Sequence, residues 1–166
     1  MTNSNKLIKS MENDLPYLDK LLQSLIGCYP CYLPDGSGIK KAQAIVQREL
    51  ESYGFNVTEV NVSETEIRNN PMYVKVEEWG PLFKNYSPAT NPSLIGTLDV
   101  NKNFPTLALN GHVDVEPVFE SSSWKHPELW RSGKLLDNKF YGRGSTDMLG
   151  GVAGMLFGLK HVLSSS

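Results

Sequence analysis

The sequence predicts an α/β protein, a layered sheet with flanking helices, because helix-like and strand-like segments alternate along the chain. Two segments before residue 54 and one after residue 150 repeat apolar residues with helical spacing. Between them lie three short segments that are rich in aliphatic residues and bounded by turn residues. With 166 residues, the chain has the length of one domain with one core.

Three helices are predicted from apolar residues that recur three and four positions apart. The first ends near Ile26 and has Pro16 in its first turn, and the second ends before Gly54. The apolar faces consist of Leu18, Leu21, Leu22 and Leu25 in the first helix, Ile39, Ala42, Val46, Leu50 and Tyr53 in the second, and Val152, Met155, Leu156, Leu159 and Leu163 in the third.

Three strands are predicted between the second and third helices. Residues 55–62 (FNVTEVNV) alternate apolar and polar, as a half-buried strand does, and residues 93–100 (SLIGTLDV) form the next strand. After the turn NKNF, residues 105–112 (PTLALNGH) contain a continuous apolar run, which is typical of a central strand covered on both faces. The proline-rich residues 79–93 are predicted to form a long surface loop.

Charge and composition exclude several classes of partner. The net charge is −2, with 16 basic and 18 acidic residues mixed along the chain, so we expect neither a nucleic-acid nor a membrane partner. The longest apolar stretch, GGVAGMLFGL, is too short to span a bilayer, and the polar start has no signal-like core, so we expect a cytoplasmic protein. The CYPC motif (Cys28, Cys31) is a redox dithiol or two free thiols, and the helix predicted before it favours free thiols.

The first motif with chemical content follows the predicted strand 105–112. Side chains of an extended segment alternate between two faces, so His112 and Asp114 in GHVDVEPV point the same way. They lie at the carboxyl edge, where open α/β sheets bind ligands. A neutral imidazole binds a metal through one nitrogen while its other N–H needs an acceptor, and Asp114 supplies one. For this motif alone, a histidine hydrogen-bonded to its own turn is the simpler interpretation.

The second motif, YGRGSTDMLGG, places Asp147 directly before the last predicted helix. The helix dipole favours a carboxylate there, and such a carboxylate is able to bridge two cations. An ordinary helix cap is the alternative. A phosphate-binding loop is excluded, because Asp147 stands where G-x-G-x-x-G requires its third glycine and no lysine follows.

Together, GHVDVEPV, Trp124, Pro127 and GRGSTDMLGG resemble the M20 family of metal-dependent amidohydrolases. That family includes acetylornithine deacetylase, succinyl-diaminopimelate desuccinylase, aminoacylases and related peptidases, and the GRGSTDM form is similar to the deacetylase/desuccinylase branch. The resemblance runs from about Leu94 to Leu163. It implies that residues 1–166 are the truncated amino-terminal part of a zinc-peptidase-like catalytic domain, single and incomplete.

The resemblance implies a role for each motif residue. His112 and Asp147 would be metal ligands in a site for two Zn²⁺ ions, with Co²⁺ as an alternative, and Asp147 would bridge both ions. Asp114 would be the catalytic residue that orients His112. A cis peptide bond is implied between Asp147 and Met148. His126 and His161 are expected to be surface or packing residues, and the family's other ligands and its general-base glutamate have no counterpart in this chain.

The resemblance also implies an activity. The parent enzyme would be a homodimer that hydrolyses the C–N amide bond of a small N-acyl amino acid or peptide, and we expect this chain alone to be inactive. Two alternatives remain open: a non-catalytic module that binds a partner through its sheet edge, or one half of a split di- or carboxypeptidase whose second polypeptide supplies the missing ligands.

Overall fold

The computed structural model describes residues 3–31, 37–87, 92–99, 103 and 105–165. The five α-helices of these residues are α1 (Asn3–Asn13), α2 (Leu15–Ile26), α3 (Ser37–Ser52), α4 (Glu64–Asn69) and α5 (Gly150–Ser164). The strands of these residues are β1 (Asn56–Val60), β2 (Ser93–Thr97), β3 (Lys134–Leu136) and β4 (Lys139–Tyr141). Short 3₁₀ turns cover Val76–Trp79, Pro81–Phe83 and Ser121–Ser123. A kinked turn, Ser145–Leu149, leads into α5, and Asp147 and Met148 within it have non-helical backbone angles. The mixture of helix and strand agrees with the predicted class.

The core of the described residues is helical, and α2, α3 and α5 supply most of it. Leu25 and Ile26 of α2 are fully buried, and Ala42 of α3 and Ala153 of α5 lie in the same cluster. Burial of each large aliphatic side chain contributes about 1.5–3 kcal/mol, so the three predicted apolar faces account for much of the stability. All three predicted helices are confirmed, with Pro16 in the first turn of α2 and Gly54 just beyond α3.

The strands of the described residues form two short antiparallel sheets, which do not by themselves confirm the predicted layered sheet. Strand β1 pairs with β2, with Asn56 opposite Thr97 and Val60 opposite Ser93, which confirms two of the three predicted strands. Strands β3 and β4 form a hairpin whose turn residues, Asp137 and Asn138, have positive φ angles of 49° and 58°. Nothing in the sequence analysis anticipated this hairpin, α1 or α4.

The predicted central strand at residues 105–112 is wrong. These residues form no strand and pair with no strand of the described chain. Leu107 is 80% exposed and Leu109 is 49% exposed, so neither face is covered. A central strand requires a hydrogen-bonded neighbour on each side, and among the described strands β1 pairs only with β2 and β3 only with β4. The turn predicted at residues 101–104 lies outside the described residues except for Asn103.

Residues 79–93 were predicted to form a surface loop, and the structure describes all of them except 88–91. They contain the turn Pro81–Phe83, in which Phe83 is buried, and they end where β2 begins at Ser93. No helix within the described residues is both long and apolar enough to cross a membrane.

Candidate metal centre

The first part of the site is the turn from His112 to Val115. The backbone carbonyl of Asp114 lies 3.0 Å from Nδ1 of His112, and Oδ1 of the same residue lies 3.4 Å from it. Because a carbonyl oxygen only accepts hydrogen bonds, Nδ1 carries the proton and donates to Asp114. In the neutral ring, Nε2 is therefore the nitrogen with a free lone pair. The backbone of Asp114, more closely than its carboxylate, fixes this tautomer.

The second part is the kinked turn Ser145–Leu149, in which Asp147 has non-helical backbone angles (φ −124°, ψ 102°). The turn starts at Gly144, whose φ of 84° lies in the left-handed region, and Leu149 N–H donates to the Gly144 carbonyl across 2.9 Å. A Cβ on Gly150 would lie 2.4 Å from the carbonyl oxygen of Ser145, so the turn closes only with glycine there. The Asp147–Met148 peptide bond is cis, as the family resemblance implied. The Asp147 side chain is 85% exposed.

The two parts meet at their side chains. Nε2 of His112 lies 3.1 Å from Oδ1 of Asp147. Buried neighbours fix both turns, because Val115 and Leu149 belong to the same core cluster. A Cβ on Gly144 would lie only 2.5 Å from Cγ1 of Val115, which shows how closely the turns pack. The structure thus brings His112, Asp114 and Asp147 together.

The electrostatics of the site favour a positive charge. Partial burial by itself lowers the pKa of His112, but the hydrogen bond to the Asp114 carbonyl and the negative charges of Asp114 and Asp147 raise that pKa above its ordinary value. The same two carboxylates would attract a metal cation to the space beside Nε2.

The donor atoms fit a zinc-type ion. An imidazole nitrogen and a carboxylate oxygen are both common zinc ligands, and two ligand atoms of a tetrahedral zinc lie about 3.3 Å apart when the bonds are about 2.0 Å. The 3.1 Å between Nε2 and Oδ1 is close to that separation. Within the described ranges, no group of three or more histidine, cysteine, aspartate and glutamate side chains is placed to hold a metal. Of the ligands that the resemblance implied, His112 and Asp147 have side-chain donor atoms that face each other.

The other candidate residues lie elsewhere. His126 contacts Glu128 at 3.6 Å and packs edge-on against Tyr141. His161 is buried in α5 beside Asp14, 3.1 Å away. The thiols of Cys28 and Cys31 are free, and burial raises the pKa of both, that of Cys31 to about 12. Such thiols are poor nucleophiles at neutral pH, which counts against a redox dithiol.

The sequence model of peptidase family M20/M25/M40 matches residues 108–166, the part that carries all three site residues. N-formyl-4-amino-5-aminomethyl-2-methylpyrimidine deformylase of Halalkalibacterium halodurans is 30% identical over 155 residues, which is 93% of this chain. The chain belongs to peptidase family M20/M25/M40.

Two further proteins that this chain resembles are named as desuccinylases. Succinyl-diaminopimelate desuccinylase of Methylobacterium radiotolerans is 38% identical over 137 residues, covering 82% of this chain and 27% of that protein. The same-named protein of Methylorubrum populi is 48% identical over 52 residues, covering 31% of this chain and 13% of that protein. The match to the deformylase covers 30% of it, so the chain spans less than a third of the length of these curated relatives.

A pocket of about 280 Å³ is lined by Asp147 and by the cationic side chain of Arg143. The sequence analysis did not identify Arg143 as a site residue. The guanidinium carbon of Arg143 lies 5.1 Å from the centre of the Trp124 ring. The Nε atom of Arg143 is buried and has no hydrogen-bond partner among the described residues. An unpaired buried donor costs about 1–3 kcal/mol. The sequence did contain a signal that could have identified Arg143 as a site residue, because it lies between the two glycines of the GRG motif.

Proposed function

We propose that this chain carries part of the zinc site of an amidohydrolase that hydrolyses N-acyl amino acids or related small amides. One observation carries the proposal: Nε2 of His112 lies 3.1 Å from Oδ1 of the exposed Asp147 carboxylate. Membership of the M20 family, and relatives named as a deformylase and desuccinylases, support the reaction class. Co²⁺ would substitute for Zn²⁺ at the same donors.

In this proposal each residue has a distinct task. His112 binds the ion through Nε2, and Asp114 holds the proton on Nδ1 so that Nε2 stays available. Asp147 contributes a carboxylate whose exposed side leaves room for a second cation. When bound, zinc supplies Lewis-acid polarisation of the scissile amide carbonyl. The substrate would be a small N-acyl amino acid or peptide, and the whole enzyme would be a homodimer in the cytoplasm.

Calorimetric zinc titration of the chain tests this assignment. Because zinc sites ordinarily use at least three protein ligands, two donors should give weak, millimolar-range binding, and His112→Ala and Asp147→Ala should each abolish it. His126→Ala is the matched control, because His126 is also a partly exposed histidine near a carboxylate, Glu128. Binding that survives either site substitution, or that His126→Ala removes, would contradict the assignment.

A second candidate is a non-catalytic module that binds a partner by strand pairing at an open sheet edge. Its support is segment 105–110, whose Leu107 and Leu109 side chains are exposed and whose residues join neither sheet of the described chain. An unpaired strand edge is a template for pairing with another chain. Native mass spectrometry after co-purification distinguishes the two: a complex of defined stoichiometry that Leu107→Lys disrupts, with no zinc dependence, supports the module.

A further inference from the structure

The pocket beside Asp147 contains a cationic side chain with no assigned role. Arg143 and Asp147 both line this pocket, together with Trp124. The two residues thus belong to one surface, although the mechanism proposed above uses only Asp147.

The position of Arg143 is fixed by its backbone. Its N–H donates to the carbonyl of Trp130 across 2.8 Å. The glycines on either side are buried against the core: a Cβ on Gly142 would lie 2.5 Å from Cγ2 of Ile26, and one on Gly144 would lie 2.5 Å from Cγ1 of Val115. The side chain then stacks on the Trp124 ring. This arrangement restricts the guanidinium before any ligand arrives.

The charge of Arg143 is not neutralised within the described part of the chain. No described carboxylate forms an ion pair with its guanidinium within 4.0 Å. Arg68 shows the contrast, since it contacts Glu64 at 2.6 Å and Glu77 at 2.5 Å. The buried, unpaired Nε of Arg143 adds a donor that lacks an acceptor. A buried polar group without a partner calls for an explanation, such as a missing ligand.

We propose that Arg143, stacked on Trp124, forms an anion site that takes a carboxylate group of the substrate beside the metal ligands. A guanidinium is suited to a carboxylate because it offers parallel N–H donors in one plane. Stacking on an indole ring keeps that plane in place and adds cation–π attraction. The inference rests on the proposed amidohydrolase function and narrows its substrates to those with a carboxylate near the scissile amide.

The test uses N-acetylglycine as the carboxylate probe and N-acetylglycinamide as its neutral match, both added to the metal-free 166-residue chain. The readouts are the ¹H–¹⁵N signals of the Arg143 Nε–H group and the Trp124 indole N–H group. The variants are Arg143→Gln, Arg143→Lys and the control Arg131→Gln. Arg131 is a suitable control because it also stacks on a tryptophan, 4.4 Å from the Trp130 ring centre, but does not line the pocket.

We expect N-acetylglycine in the millimolar range to shift both signals to saturation, and N-acetylglycinamide to shift neither. Arg143→Gln should remove the Trp124 response, and Arg143→Lys, which retains the charge and loses the planar donors, should weaken binding about tenfold. Arg131→Gln should leave the response intact. Equal shifts with both probes, no shift with either, or an unchanged response in Arg143→Gln would overturn the proposal.

This test is separate from the test of the metal site. No zinc is present during the carboxylate titration, so a failed metal assignment leaves its result unchanged. Conversely, zinc binding that requires His112 and Asp147, together with no carboxylate response, would reject the anion site and retain the proposed function.

Discussion

His112 and Asp147 are 35 residues apart in the chain, yet Nε2 of one lies 3.1 Å from Oδ1 of the other. Neither side chain is held by burial, since their exposed fractions are 46% and 85%. Their backbones are held instead, through the buried neighbours Val115 and Leu149. The metal-binding atoms of both side chains are therefore exposed, while buried neighbours hold their backbones in place. A metal site requires ligands whose positions are held in this way.

The first prediction concerns Asp114. Because its backbone carbonyl is the closer acceptor for His112 Nδ1, Asp114→Ala should weaken zinc binding by only about tenfold, the lower end of the range for residues behind a metal ligand. Calorimetry beside His112→Ala measures the difference. Complete loss of binding in Asp114→Ala would show that the carboxylate, and not the carbonyl, is the essential contact.

The second prediction concerns Gly144, which begins the turn that carries Asp147. Gly144→Ala should lower the free energy of unfolding by about 2 kcal/mol or more, because its φ of 84° disfavours a side chain and its Cβ would overlap Val115. Gly154→Ala is the matched control: nothing lies within 4 Å of the added Cβ, and alanine in a helix interior should raise stability by about 0.5–1 kcal/mol. Urea unfolding measures both, and equal effects would contradict the packing described here.

The third prediction is a pH dependence from Asp14, which contacts Lys160 at 2.5 Å and His161 at 3.1 Å. The hydrogen bond from Lys160 lowers the pKa of Asp14 below its ordinary 3.8, despite some burial. A lowered folded-state pKa contributes stability above the unfolded-state pKa, and this contribution disappears as pH falls through the folded value. Asp14→Asn should therefore be less stable than the parent at neutral pH, with a gap that closes below about pH 4. A constant gap in urea unfolding across that range would contradict this.

The fourth prediction concerns the two thiols. Cys31 is 1% exposed and burial raises its pKa to about 12, whereas Cys28 is only partly buried. A thiol-specific reagent at neutral pH should therefore label Cys28 slowly and Cys31 only after unfolding. Cys28→Ser identifies which thiol reacts. Rapid labelling of Cys31 in the folded chain would revive the redox interpretation.

The helices were predictable because their apolar periodicity is a local property of the sequence. The faces of Leu21, Leu25 and Ile39 are buried as predicted, since each helix needs only one covered face. The strand at 105–112 was mispredicted because an apolar run indicates only that burial of its side chains would be favourable. Whether a strand is covered depends on which other strands reach it, and no local pattern specifies that.

The site was predictable in its residues more than in its contacts. Each motif alone left a simpler interpretation open, and the pairing of His112 with Asp147 as metal ligands was implied by the resemblance to the M20 family. The structure places their donor atoms 3.1 Å apart, and their role as ligands stays a prediction. For His112 Nδ1, the structure favours the alternative left open by the sequence, a hydrogen bond to its own turn, because the backbone carbonyl of Asp114 is closer than its carboxylate. Arg143 was missed, since its unpaired charge becomes visible only when the positions of all neighbouring carboxylates are known. The hairpin turn Asp137-Asn138 did carry a local signal, a pair of residues that tolerate positive φ.

The most direct measurement follows the three histidine rings by long-range ¹H–¹⁵N spectroscopy while zinc is added. His126 and His161 are internal controls, because each already has a carboxylate neighbour away from the site. We predict that only the His112 Nε2 signal shifts, that its Nδ1 keeps its proton, and that Asp147→Asn weakens the shift. Zinc that perturbs His126 or His161 while leaving His112 unchanged would contradict the metal centre.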